Sequence, residues 1–150
     1  GNMTFHGQME NVLIEGNRIE QDAAAEGCWA MSITQGYTTA EWFRGFVVRN
    51  NKIINAGNTG MAIQSAPGAL VEGNIIINTQ NTYQTAIGLG HNEYQNGDVV
   101  DQNATVQNNT ACFVSPVAGS SVVRVLSPGS VVTNNIMITG SAATTGICAR

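Results

Sequence analysis

The sequence predicts an all-β fold: a right-handed parallel β-helix, a solenoid of about five coils with an internal asparagine ladder. Three observations predict it. A short motif centred on Asn recurs five times along 150 residues. A β-branched residue stands three places before each of these Asn. Only Gly or Asn stands directly before it.

The five copies are Val-Leu-Ile-Glu-Gly-Asn from Val12, Phe-Val-Val-Arg-Asn-Asn from Phe46, Ala-Leu-Val-Glu-Gly-Asn from Ala69, Ala-Thr-Val-Gln-Asn-Asn from Ala104 and Ser-Val-Val-Thr-Asn-Asn from Ser130. The repeated residues are Asn17, Asn51, Asn74, Asn109 and Asn135, spaced 34, 23, 35 and 26 apart. A constant motif at a variable period places the variation in loops. Ile14, Val48, Val71, Val106 and Val132 suit a strand and are expected to stack inside the coil. Glu15, Arg49, Glu72, Gln107 and Thr133 follow them and should face water, because side chains alternate along a strand. Gly16, Asn50, Gly73, Asn108 and Asn134 tolerate a left-handed backbone, which implies a sharp bend. The Asn after the bend turns inward. Its amide can bond its counterparts and the turn backbone, which removes the cost of burying it.

A second strand signal lies between the motifs, at Ala30–Ile33, Gly60–Ile63, Ala86–Leu89, Val122–Val125 and Gly146–Ala149, with Met31, Met61, Ile87, Val123 and Ile147 stacking inward. A third short strand follows each Asn, as in Lys52-Ile53-Ile54 and Ile75-Ile76-Ile77. Three strands per coil with an Asn-bearing turn between the second and third resembles the pectate-lyase-like right-handed β-helix superfamily, which includes polysaccharide lyases, hydrolases, epimerases and phage tailspikes. The resemblance covers nearly the whole chain as an architecture and carries no catalytic motif. A leucine-rich repeat is the rival. Against it, the leading Leu is replaced by Met9, Phe43, Ala66, Asp101 and Ser127, the period varies, and the segments after each Asn are β-branched rather than helical.

Composition agrees. Apolar residues make up 43% and charged residues only 11%, with 17 Gly, which disfavours helices and suits short strands and tight turns. The net charge of −4 and six scattered cations give no basic patch, so nucleic acid is not an expected partner. No apolar run reaches a membrane span. Cys28, Cys112 and Cys148 are too few and odd in number for a disulfide framework and read as small buried or half-buried residues. Residues 1–150 form one domain, read as a piece of a longer β-helix because the ends would expose strand edges. Capping by self-association is the other reading.

The resemblance implies that substrate lies along the outer face of the first strands, which would show Ser32, Ala62, Gly88, Arg124 and Cys148, with the small Ser32, Ala62 and Gly88 flooring a groove. Long loops at 35–45 and 91–103 would wall it. Their aromatic rings, Tyr37, Trp42 and Tyr94, together with Arg124, are the candidate polysaccharide-binding residues, because such rings cover the apolar face of a sugar. His91, Asp98, Asp101, Glu41 and Arg44 are the candidate catalytic residues. Hydrolysis needs two carboxylates flanking the bond, and elimination needs a base and cations beside a uronate. Glu41 and Arg44 can equally pair with each other on the loop. No metal ligand set is recognisable, although Asp98 and Asp101 could offer oxygen ligands to Ca²⁺. Leu13, Val47, Leu70, Thr105 and Val131 are expected to point outward, as are Ile54, Ile77 and Ile138; such apolar outer stripes suit a homo-oligomer contact unless flanking segments cover them. Two functions follow as expectations: a carbohydrate-active module that binds and cleaves or epimerises a polysaccharide, or a non-catalytic structural, adhesin or tail-fibre segment. Either belongs outside the cell or on a cell or virion surface.

Overall fold

A computed structural model describes residues 3–21, 27–90 and 103–150. The described chain is all-β, and every strand pair is parallel. The strands stack into three five-stranded sheets and a two-stranded ribbon, each strand pairing with its counterpart in the coil before or after. The arrangement is consistent with a parallel β-solenoid. Among the described residues no helix is long and apolar enough to cross a membrane.

The first sheet stacks Met3–Phe5, Trp29–Ile33, Thr59–Ile63, Thr85–Leu89 and Ser121–Val125. The second stacks Leu13–Glu15, Val47–Arg49, Leu70–Glu72, Thr105–Gln107 and Val131–Thr133. The third stacks Arg18–Glu20, Lys52–Ile54, Ile75–Asn78, Thr110–Phe113 and Ile136–Thr139. Gln8–Glu10 and Trp42–Arg44 form the ribbon between the first two sheets.

Register follows the motif. Ile14, Val48, Val71, Val106 and Val132 pair residue for residue along the second sheet. Four of them are buried, while Val132, in the last of the described coils, keeps 43% of its surface because no described strand stacks beyond it. Met31, Met61 and Ile87 fill the core from the first sheet, and Phe5, Phe43 and Phe46 pack edge to face at the other end, with centroids 6.1 and 5.4 Å apart.

The Asn ladder is continuous. The backbone N–H and the side-chain amide of Asn17 both donate to Asn51 Oδ1, at 3.0 and 2.9 Å. Asn51 does the same to Asn74, Asn74 to Asn109 and Asn109 to Asn135. Each of the last four also donates Nδ2 to the strand carbonyl one coil back: Ile14, Val48, Val71 or Val106. Every polar atom of a central amide is therefore satisfied, which is the condition for burying it. The bend before the ladder is left-handed in every coil, with φ of +68° at Gly16, +54° at Asn50, +63° at Gly73, +57° at Asn108 and +53° at Asn134. A second left-handed row lies six residues before the ladder, at Asn11, Gly45, Gly68, Asn103 and Gly129.

The C-terminal segment corrects two expectations. Gly146–Cys148 is a 3-10 turn rather than an inward strand, and Ile147 is 53% exposed. Cys148 is not a lone small residue on the outer face of the first strands; it is disulfide-bonded to Cys112. The cause is the outer face of the third sheet. Ile54, Ile77 and Cys112 point outward in register with Ile138, as expected, yet the first three are fully buried. Gly140, at φ +67°, turns the chain back, and Ala143 and Cys148 pack on this stripe. Lys52 Nζ holds the Ala149 carbonyl, and Arg150 reaches Glu20 at 2.5 Å. Residues 140–150 thus run from the last coil back to the first. Arg150 and then Arg18 hold the Glu20 carboxyl below its ordinary range.

Candidate functional site

The outer face of the first sheet carries a cleft of about 300 Å³. Its floor is the register row Ala62 and Gly88, continued by Ser32 on one side and Arg124 on the other. Small side chains there keep the trough open: a Cβ on Gly88 would meet nothing closer than 3.8 Å. One wall is formed by Trp29, Asn58, Thr59, Tyr83 and Thr85, the other by Gln64, Gly90 and Leu126. A second hollow, also about 310 Å³, continues toward the first coil, lined by Thr4, Gly27, Cys28, Trp29 and Ser32. Trp29 borders both.

The wall aromatics are held by the backbone pattern. Ladder pairs skip Ala30, Gly60 and Ala86, all fully buried, so that each strand turns two consecutive residues into the core. The residue before that pair, Trp29, Thr59 or Thr85, is thereby left on the cleft side. The Tyr83 hydroxyl lies 3.1 Å from Thr85 Oγ1, and its ring lies against Gly119. Asn58 Oδ1 is buried and accepts no hydrogen bond among the described residues. Arg124 is the one charged side chain among the described lining residues, and none of them is a carboxylate.

The residues of the 35–45 loop expected around the groove lie elsewhere. Glu41 is fully buried. Its Oε1 accepts from Gly7 N at 2.6 Å and its Oε2 from Tyr37 N at 2.9 Å and from Gly36 N. His6 Nδ1 stands 3.3 Å away. Burial raises this carboxyl, but the Gly36, Tyr37 and Gly7 amides and then His6 outweigh it and hold it below the usual range. Glu41 therefore pins its loop to the first coil and presents no oxygen to solvent. It does not pair with Arg44, which faces Glu10 at 3.8 Å and stacks over Trp42 at 4.4 Å. Tyr37 is 56% exposed and packs on His6, ring centroids 4.7 Å apart. Trp42 pairs with Gln8 in the ribbon, outside the cleft lining.

Of the residues expected to bind or act, Arg124 lines the cleft, whereas Tyr37, Glu41, Trp42 and Arg44 cluster around the ribbon. His91, Tyr94, Asp98 and Asp101 lie outside the described residues, and with them the oxygen ligands considered for Ca²⁺. Among the described residues no three His, Cys, Asp or Glu side chains come together as a metal site. The two cleft aromatics, Trp29 and Tyr83, were missed by reading loops alone. Trp29 carries a positional signal, preceding the inward Met31 by two residues as Thr59 precedes Met61, whereas Tyr83, two residues before Thr85, carries none. No protein family, no curated protein and no solved structure matches this chain.

Proposed function

We propose that this chain is a right-handed parallel β-helix module, of the pectate-lyase-like kind, that binds an extended polysaccharide along the outer face of its first sheet. Right-handedness is the hand that parallel crossover connections adopt almost without exception. The observation that carries the binding reading is the open trough over Ala62 and Gly88. It is flanked by two aromatic rings and by amide and hydroxyl groups from Asn58, Thr59, Gln64 and Thr85. Flat rings cover the apolar faces of sugars, and convergent polar groups fix their hydroxyls.

Binding rather than cleavage is the reading favoured by the described residues. A glycosidase needs two carboxylates some 5–9 Å apart across the bond. No described lining residue supplies one, and Glu41 is sealed in its loop. Any acid or base chemistry rests with His91, Asp98 and Asp101. A buried disulfide fits an oxidising compartment, which supports an extracellular or surface location.

The test is retention of the protein on gels or beads carrying neutral and acidic polysaccharides, beside an assay for new reducing ends. Retention without new ends is the expected result. Gly88→Trp fills the trough and should abolish retention while the melting temperature holds; retention that survives it removes the cleft from the function.

A second reading, an assembly segment, is favoured by one observation. The outer row of the second sheet exposes Leu13 and Val131 by 53% each, with Val47 and Leu70 half-buried between them. It predicts an oligomer that dissociates when Leu13 and Val131 are made polar.

A further inference from the structure

The cleft has a spacing that narrows its ligand. Trp29 pairs with Thr59, and Thr59 with Thr85, so Trp29 and Thr85 are two coils apart on one wall. Tyr83 is hydrogen-bonded to Thr85 and leans on Gly119 toward the last coil. The two rings therefore stand at least two strand spacings apart along the stack, on the order of 10 Å. An extended β-linked pyranose chain advances about one strand spacing per sugar. It flips each sugar relative to the last, so every second sugar presents the same face to the same wall. An α-1,4-linked glucan coils instead and does not meet both rings in this way, while an α-1,4-linked galacturonan, which is also extended, is separated by its charge.

Charge narrows it further. A polyuronate carries one negative charge per sugar, whereas Arg124 is the only cation among the described lining residues. Between the rings stand Thr59 and Asn58, the latter with a buried Oδ1 that accepts no hydrogen bond among the described residues. This set donates to and accepts from hydroxyls rather than neutralising carboxylates.

Resting on the glycan-binding reading, we propose that the cleft takes a neutral, extended, β-linked glycan lying along the stack axis. One sugar stacks on Trp29, and a sugar at least two places further stacks on Tyr83.

The experiment titrates the full chain with cello-oligosaccharides of two to six sugars, following tryptophan fluorescence in a Trp42→Phe background, where Trp29 is the remaining tryptophan. Affinity should climb about tenfold once the oligomer is long enough to span both rings, the equivalent of one aromatic contact. Trp29→Ala and Tyr83→Ala, followed by calorimetry, should each cost about as much. Trp29→Phe should recover most of the loss, which separates stacking from a folding defect. Malto-oligosaccharides and oligogalacturonates of equal length should bind at least about tenfold more weakly. The inference falls if either of those binds as well as the cello-series, or if both alanine variants bind normally. In that case Gly88→Trp still abolishes binding, and the cleft reading stands. If Gly88→Trp leaves binding intact, or no oligosaccharide binds at all, the cleft reading itself falls.

Discussion

Cys148 is bonded to Cys112 across 36 residues, with Cα atoms 5.7 Å apart, and this bond fastens the C-terminal tail over the outer face of the third sheet. Closing a loop of this size is worth about 2–4 kcal/mol, mostly by restricting the unfolded chain. Cys148→Ser and Cys112→Ser should therefore each lower unfolding stability by that amount in urea. The double variant should be little worse than either, because one bond is lost in all three. Both sulfurs are held in the bond and carry no free thiol, so a thiol reagent should find only Cys28 in the native protein and all three cysteines after reduction in denaturant.

The ladder should be least forgiving at its centre. Asn74→Ala leaves the buried Asn51 N–H without its acceptor, takes one acceptor from Asn51 Nδ2, which keeps the Ile14 carbonyl, and removes the side-chain donors to the Val48 carbonyl and Asn109 Oδ1. At about 1–3 kcal/mol for the orphaned N–H and about 1 kcal/mol for each further bond lost, a loss of ~3 kcal/mol or more is expected in equilibrium unfolding. Asn17→Ala removes an end member whose amide only donates, and Asn51 Oδ1 keeps the backbone N–H of residue 17 as a donor beside a half-exposed site. It should cost no more than about 1 kcal/mol.

That contrast shows why the fold was legible in the sequence and the site less so. Asn17, Asn51, Asn74, Asn109 and Asn135 must share one chemistry because each is the next one's partner, so stacking writes itself into sequence as identity. The left-handed row at Asn11, Gly45, Gly68, Asn103 and Gly129 is equally regular, six residues before the ladder, and restricts the sequence in the same way: a Cβ at Gly45 would lie 2.7 Å from Asn11 Oδ1. The cleft has no such recurrence. Trp29 and Tyr83 hold different places in their coils, and their convergence depends on register across three strands. The tail was misread for a related reason. Gly146-Ile147-Cys148-Ala149 has the same pattern of residue types as Gly60-Met61-Ala62-Ile63, and only the uncovered stripe at Ile54 and Ile77 says that it must cross the sheet instead.

Glu41 gives the stability a pH dependence. Its carboxyl is held below the ordinary range in the folded chain, so the unfolded chain binds its proton first as pH falls through ~4.3. The stabilisation is complete above that value and is lost as pH drops further, through the folded value. Glu41→Gln keeps the shape but has one acceptor oxygen where the carboxylate has two, so its NH2 group is left facing either the Gly7 N–H or the Gly36 and Tyr37 N–H groups. It should cost about 1.5–3 kcal/mol at pH 7. The gap to wild type should close as unfolding is measured at successively lower pH below about 4. A gap that stays constant would mean that Glu41 is uncharged in the fold.

Three glycines should separate by where their missing side chain would point. At Gly60 a Cβ would sit 2.6 Å from the Ala86 carbonyl and 3.0 Å from the core side chain of Ile76, so Gly60→Val must force two coils apart. Overpacking against backbone that cannot yield costs about 1–3 kcal/mol or more. At Gly68 the space is open but φ is +70°, so Gly68→Ala should pay only the left-handed backbone, about 1–2 kcal/mol. At Gly88 there is neither crowding nor positive φ, and Gly88→Ala should fall within about 0.5 kcal/mol of wild type. Melting curves of the three variants should therefore rank Gly60→Val lowest and Gly88→Ala highest. If Gly88→Ala instead melts as early as Gly60→Val, then Gly88 faces the core, the register row through Ala62 is inverted, and no open floor exists on this sheet for a ligand to lie on.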